Sequence, residues 1–234
     1  MRVIVIGGSS GIGKAIVEEC RERRPQSGAH EILTMQRRRV MQYDVELDLR
    51  WDQHAISEAC REALKRLGGV DWLVLSGGVA AYTMPLVRQE QLLEMIQTNY
   101  IGPRLVFNSF LRALHRQVDN GFLASRVLYI GSTAAQRTGK ALEDYAASKA
   151  AAETYFLAAG RRYAEFGIRI NVLAPGWVES PMSDSLKSEL QDKARRVIAL
   201  KRFARVEEVA EMAYHVLNGP DYLTGDRISI AGGL

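Results

Sequence analysis

The sequence predicts a doubly wound α/β domain, with about seven parallel strands and helices on both faces of the sheet. Three observations carry this. Short apolar runs alternate with helix-period segments from end to end. The runs are apolar throughout, as strands covered on both faces are. A chain of 234 residues, 47% hydrophobic and 25% charged, suffices for one such domain with a sizeable core.

The elements come in this order. Val3 to Ile6 is a β-rich run that stops at glycine, and Ile12 to Arg23 succeeds it with helical spacing. Glu31 to Gln36 reads as a strand and Tyr43 to Leu49 as a poorer one. His54 to Leu67 is a helix that stops at Gly68-Gly69. Asp71 to Ser76 is a strand stopped by Gly77-Gly78. Gln89 to Gln117 is a long helical stretch, interrupted at Gly102-Pro103. Arg126 to Ile130 is a strand, and Leu142 to Phe166 a long alanine-rich helix. Gly167 to Leu173 is a strand ended by Pro175-Gly176. Val206 to Leu217 is a helix and Arg227 to Ile230 the last strand. No internal repeat or linker appears, so residues 1–234 read as one domain. The polar, weakly helical stretch at about 178–205 is expected to be a mobile substrate lid.

Composition narrows the function. The net charge of +4 suits an anionic ligand, but no basic stripe with interleaved aromatics suggests nucleic acid. No apolar run approaches the ~20 residues of a membrane span. The apolar start before Gly7 is too short for a signal peptide, so a cytoplasmic location is expected. Cys20 and Cys60 lack CxxC spacing and read as buried thiols. His30, His54, His115 and His215 are scattered, without metal-ligand spacing. No G-x-S-x-G elbow of a serine hydrolase is seen.

The turn Gly7-Gly8-Ser9-Ser10-Gly11-Ile12-Gly13 joins the first strand to the first helix. Glycines let backbone approach a ligand, and the helix start points its N–H groups and positive dipole end at an anion. In this context the loop reads as a dinucleotide site. NAD sites often carry a carboxylate at the end of the second strand. Here Met35-Gln36 is followed by Arg37-Arg38-Arg39 instead. A 2′-phosphate carries about two charges, and arginine meets it with a fork of donors. NADP(H) is therefore expected over NAD(H), bound by Arg37 with Arg38 as the second contact.

Tyr145 and Lys149 lie at i and i+4, on one face of the alanine-rich helix. An ordinary phenol, with a pKa near 10, is too weak an acid for neutral pH, and a neighbouring cation lowers that value. Tyr145 then serves as a general acid or base. Ser132 comes just after the strand Val127 to Ile130, at the end where parallel sheets bind ligands, and its hydroxyl can bond a substrate carbonyl. Thr133 competes for that role.

Together these residues resemble the short-chain dehydrogenase/reductase family. The Gly7-x3-Gly11-Ile12-Gly13 turn, Ser132, Tyr145-x3-Lys149 and Pro175-Gly176 stand in that family's order and spacing. So does the tail from Tyr222-Leu223-Thr224-Gly225 to Ala231-Gly232-Gly233. The resemblance covers essentially the whole chain and implies a Rossmann-like fold. It also implies roles. Tyr145 is the acid/base, Lys149 holds the nicotinamide ribose and lowers the tyrosine pKa, and Ser132 orients the substrate oxygen. Asn99 holds a water in a proton relay. Asp48-Leu49 contacts adenine, with Asp44-Val45 as competitor. The backbone around Val178 faces the carboxamide, and Ser180 contacts phosphate or amide. The sequence departs from the family pattern at Ile6, at Ser10 and at Leu75-Ser76-Gly77-Gly78, where backbone contacts to the adenosine ribose would remain. Thr133 to Gly139, Ala80, Tyr82, Met84 and Met182 would line a partly apolar substrate pocket. Trp51, Trp72 and Trp177 read as packing residues, with bordering the substrate as the alternative for Trp177, which follows Pro175-Gly176. Arg137 and Lys140 would favour an anionic substrate or else be solvated. The implied activity is that of an NADP(H)-dependent carbonyl reductase or alcohol dehydrogenase acting on a small molecule. Its alternatives are an NADPH-binding regulatory protein without turnover and a dehydratase or epimerase of the same family. A homotetramer is expected, with a homodimer as runner-up.

Overall fold

Seven short strands pair side by side, all in parallel, in a computed structural model that describes residues 1–23, 29–37, 44–80, 88–119, 124–137, 142–184 and 188–234. They are β1 (Arg2–Ile6), β2 (Glu31–Gln36), β3 (Val45–Glu46), β4 (Trp72–Leu75), β5 (Arg126–Ile130), β6 (Arg169–Pro175) and β7 (Arg227–Ile230). Their spatial order is β3-β2-β1-β4-β5-β6-β7. The chain winds outward in both directions from the β1–β4 pair, whose register sets Ile6 beside Leu75. That reversal opens a crevice outside the carboxyl ends of the strands, where such sheets take ligands.

The helices are α1 (Gly11–Glu22), α2 (Gln53–Leu67), α3 (Gln89–Ile96), α4 (Gly102–Asp119), α5 (Glu143–Tyr163), α6 (Pro181–Asp184), α7 (Ser188–Val197) and α8 (Val206–Leu217). Successive strand side chains point to opposite faces. Val3 and Val5 of β1 therefore join α1 and α8 in one core, through Ile16, Cys20, Val209 and Ala213. Ile4 and Ile6 join α2, α4 and α5 in the other, through Ile56, Phe107, Phe110 and Phe156. Burying apolar area at about 25 cal/mol per Å² makes these two layers the main source of stability. Helix α2 stops at Gly68 as its sequence predicts, and Asp52 caps its start. The Asp52 carboxylate accepts from the Ala55 N–H at 2.9 Å, and Gly68 closes the helix at φ +71°.

Three elements differ from expectation. The stretch predicted as a strand from Tyr43 to Leu49 pairs only at Val45–Glu46 (Tyr43 lies outside the described residues), because β2 offers only Met35 and Gln36 there. The strand expected to end at Leu173 runs to Pro175, which ends the ladder beside Ile230 and needs no N–H at that edge. The long helical stretch is not broken at Gly102-Pro103: a π-helical turn over Gln97–Ile101 joins α3 to α4. Pro103 follows that turn directly, as the second residue of α4, and offers no N–H to the carbonyl upstream.

Within the expected lid, the described residues hold α6 and α7 and a small apolar cluster. Ala194, Ile198 and Phe203 pack there with Trp177 and Leu234. The Trp177 ring stacks on Phe203 with centroids 5.6 Å apart, so this indole anchors the segment.

Candidate active site

The turn after β1 is built for close approach. Gly7 and Gly11 take φ of +81° and +52°, where a side chain would be strained. A Cβ on Gly13 would stand 2.2 Å from the Gly7 carbonyl oxygen, and one on Gly7 would stand 3.0 Å from Gly77. The Gly7 N–H donates to the Met35 carbonyl at 2.8 Å, tying the loop to β2. Ser9 and Ser10 are exposed, and the extended Ser10 caps α1 without a side-chain bond. The Ser180 Cβ lies 3.9 Å from where a Cβ on Gly11 would be, and the Ser76 Oγ lies 3.3 Å from one on Gly13. Leu49 packs against Gly77, whose Cβ would fall 2.7 Å from its methyl. A shallow glycine cradle at a helix start, walled by Ser76, Gly77 and Ser180, fits the phosphates of a dinucleotide.

The two aspartates considered for adenine part company. Asp44 is buried, hydrogen-bonded by the Thr34 hydroxyl and by Gln36 Nε2. Asp48 stays partly exposed, and Arg50 holds its carboxylate at 2.6 Å. That bond keeps the Asp48 pKa below the ordinary carboxylate range, with Arg37 adding a smaller attraction. Arg37 itself is exposed at the end of β2, and Arg38 lies outside the described residues.

On the β5 side, Ser132 caps a single 3-10 turn, its Oγ accepting from the Ala134 N–H at 3.2 Å. An Oγ that accepts there keeps its own proton to donate. Ser132 is only partly buried, whereas Thr133 is buried at 9% exposure, so the serine is the more accessible of the two. Tyr145 is partly buried near the start of α5. Lys149, one turn on, is 5% exposed, and its Nζ donates to the Ile130 carbonyl at 2.9 Å. It also sits 5.0 Å above the Tyr129 ring. Burial lowers the Lys149 pKa to about 8, against the Glu153 charge, which raises it.

Asn99 belongs to the π-helical turn and is fully buried. Its Oδ1 accepts from the Val79 N–H and its Nδ2 donates to the Val79 carbonyl, both at 2.8 Å. The same Nδ2 donates to Ser148 Oγ at 2.9 Å. In an α-helix its carbonyl would accept from residue 103, which is proline and has no N–H. The Tyr129 hydroxyl donates there instead, at 2.8 Å. A Cβ on Gly78 would stand 3.2 Å from both Asn99 Oδ1 and Lys149 Nζ, so β4, the π turn and α5 converge on one point.

The far wall is formed by the end of β6 and the segment beyond it. Pro175 ends the strand, and Gly176 lies against Ala231, 3.1 Å from where its Cβ would be. Val178 forms a single parallel bridge to Ala204, made by the N–H groups of Glu179 and Ala204, which leaves the Val178 peptide groups out of that bridge. Met182 is exposed and Ala80 partly buried, while Tyr82, Met84, Thr138, Gly139 and Lys140 lie outside the described residues. Arg137 bonds the main-chain oxygen of Leu234.

Two residues near the site carry no motif that the sequence reading used. Glu153 is 4% exposed, and its carboxylate meets both the Ser132 N–H and Arg227. A signal for it exists: Tyr145, Lys149 and Glu153 stand at i, i+4 and i+8, one stripe of α5. Arg227, on β7, has no such local signal. Among the described residues no group of three His, Cys, Asp or Glu side chains could hold a metal ion, and no helix is long and apolar enough to cross a membrane.

Comparison with known proteins gives this arrangement a family. A family model described as enoyl-(acyl carrier protein) reductase matches residues 7–234. The chain belongs to the short-chain dehydrogenase/reductase family of oxidoreductases. It is 28% identical over 235 residues to carbonyl reductase family member 4 of Xenopus laevis, covering 98% of this chain and 96% of that one. It is 29% identical over 238 residues to a 3-oxoacyl-[acyl-carrier-protein] reductase of Bos taurus, covering 98% and 96%. Its fold matches the crystal structure of 3-ketoacyl-(acyl-carrier-protein) reductase from Brucella melitensis complexed with NADH, with a TM-score of 0.86, 22% identity and coverage of 99% and 97%.

Proposed function

We propose that this protein interconverts carbonyl compounds and alcohols using NADP(H), with Tyr145 exchanging the proton at the substrate oxygen. The observation that carries the reading is the convergence of Gly78, Asn99 and Lys149 at the carboxyl ends of the strands, with Tyr145 one helical turn before Lys149. When bound, the nicotinamide supplies or takes up the hydride at the substrate carbon. The chain does the rest. Ser132 donates its hydroxyl proton to the substrate oxygen and holds it for Tyr145. Tyr145 delivers its phenolic proton to that oxygen in reduction and removes it in oxidation. Lys149, charged below about pH 8, favours negative charge on the phenol beside it and hydrogen-bonds the nicotinamide ribose. Asn99 pins Val79 behind this site, and its carbonyl, which has a second lone pair beside the one Tyr129 uses, serves the proton relay.

The glycine cradle with Ser9, Ser10, Ile12, Ser76 and Ser180 takes the pyrophosphate and adjoining ribose. Asp48 and Leu49 border the adenine, and Pro175, Gly176 and Val178 the carboxamide. The 2′-phosphate meets Arg37, with Arg38 as second donor. Arg50 already pairs with Asp48, which reduces the repulsion a phosphate would feel from that carboxylate. The segment at 178–205 closes over the substrate, and the unit in solution is a homotetramer. Both cysteines are buried free thiols, in keeping with a reducing cytoplasm.

The test is to follow nicotinamide absorbance with 3-oxoacyl thioesters, ketones and aldehydes, the first suggested by the names of the relatives. Turnover with NADPH at least about 10-fold more efficient than with NADH is expected, as one charge-assisted bond is worth about 1.5–3 kcal/mol. Equal efficiency with NADH would remove the cofactor assignment.

A further inference from the structure

An ion pair lies beneath Ser132 that the reductase reading leaves unused. The Glu153 Oε2 accepts from Arg227 Nε at 2.7 Å, with side chains only 5% and 11% exposed. Taking two such charges out of water costs several kcal/mol each, and an apolar pair of similar volume often serves stability as well or better. The other bonds of the pair say what it does. Glu153 Oε1 accepts from the Ser132 N–H at 2.9 Å, and Arg227 Nη2 donates to the Ser132 carbonyl at 3.1 Å. One ion pair thus holds both polar groups of the Ser132 main chain. The Ser132 N–H needs such a hold, because the ladder between β5 and β6 ends one residue earlier, where the Gly131 N–H donates to Leu173 at 2.8 Å, whereas the Ser132 carbonyl also accepts from the Ala135 N–H at 3.1 Å. Gly131 makes the room: a Cβ there would stand 2.3 Å from Glu153 Oε1. Glu153 also comes one turn after Lys149 on the same helix.

Resting on the carbonyl-reductase reading, we propose that Glu153 and Arg227 are positioning residues for the reaction, fixing the Ser132 hydroxyl against Tyr145 while Glu153 faces the Lys149 ammonium with a counter-charge. They touch neither substrate nor cofactor. They act through the Ser132 peptide and through the field at Lys149, where the Glu153 charge opposes the effect of burial.

Two variants test this. In Glu153→Leu/Arg227→Met the ion pair becomes an apolar pair, which removes the cost of burying two charges but takes the acceptor from the Ser132 N–H, so it is expected to fold with a modestly lower Tm. Its kcat should fall about 100-fold, the scale of loss from displacing a reacting group by about 1 Å, with the Kd for NADPH unchanged. Glu153→Gln keeps an oxygen for the Ser132 N–H but removes the charge. Loss of a nearby negative charge eases proton release from Lys149, so the alkaline limb of kcat/KM for reduction should move to lower pH, a shift that a merely structural role would not produce. A folded double variant that turns over at the wild-type rate overturns the positioning role. If the double variant does not fold, the Glu153→Gln profile decides: an unmoved limb with full kcat overturns the proposal. Wild-type protein that binds NADPH but reduces no carbonyl compound defeats the reductase reading itself, and this inference with it.

Discussion

Lys149 carries its charge in a place water hardly reaches. Its ammonium donates to the Ile130 carbonyl and lies over the Tyr129 ring, and burial pulls its pKa down to about 8 although the Glu153 charge acts to raise it. An ordinary lysine keeps its proton up to about pH 10.5. In the folded protein this one is charged below about pH 8 and neutral above it. The reduction should therefore show an alkaline limb in kcat/KM near pH 8, read from a pH–rate profile; a flat profile to about pH 10 would place Lys149 outside the reaction. Arg37 makes the second prediction at this scale. Arg37→Ser should raise the KM for NADPH by about 10–100-fold and leave that for NADH nearly unchanged, because only the 2′-phosphate loses a partner. Local spacing makes Tyr145, Lys149 and the glycine turn legible, because one helix or one turn holds each motif. Glu153 and Arg227 are 74 residues apart and meet only through the sheet, so no local pattern announces the pair.

The π-helical turn is where one element leans on another. Proline at 103 leaves the Asn99 carbonyl without its helical donor, the turn widens over Gln97–Ile101, and Tyr129 reaches across from β5 to supply the missing bond. Tyr129 is fully buried, stacked on Phe156 at 4.8 Å, with its pKa pushed well up by burial, so it acts as a neutral donor. Tyr129→Phe should destabilise the fold by about 1–3 kcal/mol in urea titration, since it strands a buried carbonyl. An unchanged midpoint would mean that the carbonyl finds another donor. The sequence marks Gly102-Pro103 as a break because proline in a helix interior removes a bond and clashes. The chain keeps its helical course because the clash is relieved by the wider turn and the bond is replaced from another element. Strand ends are blurred in the sequence for a similar reason: pairing length is set by the neighbour, as β2 does for β3.

The sheet as a whole decides where all this happens. Strand order reverses at the β1–β4 pair, and the glycine turn, Gly77, Gly78 and the α5 stripe gather at that carboxyl edge. Alternating apolar runs and helices are enough to read the order of elements and the two-sided core. The segment at 178–205 reads as polar, yet it carries its own apolar cluster with Trp177, whose stacking on Phe203 spans 26 positions and leaves no periodic trace. In solution the particle should have four times the 26.1 kDa chain mass by light scattering, and a monomer would remove the assembly. Whether Tyr145 moves the proton is tested most directly by comparing Tyr145→Phe with wild type in NADPH oxidation by a substrate the wild type reduces. A kcat lower by about 10²–10⁴-fold is expected, with the Kd for NADPH unchanged. A Tyr145→Phe protein that turns over at the wild-type rate would contradict the assignment.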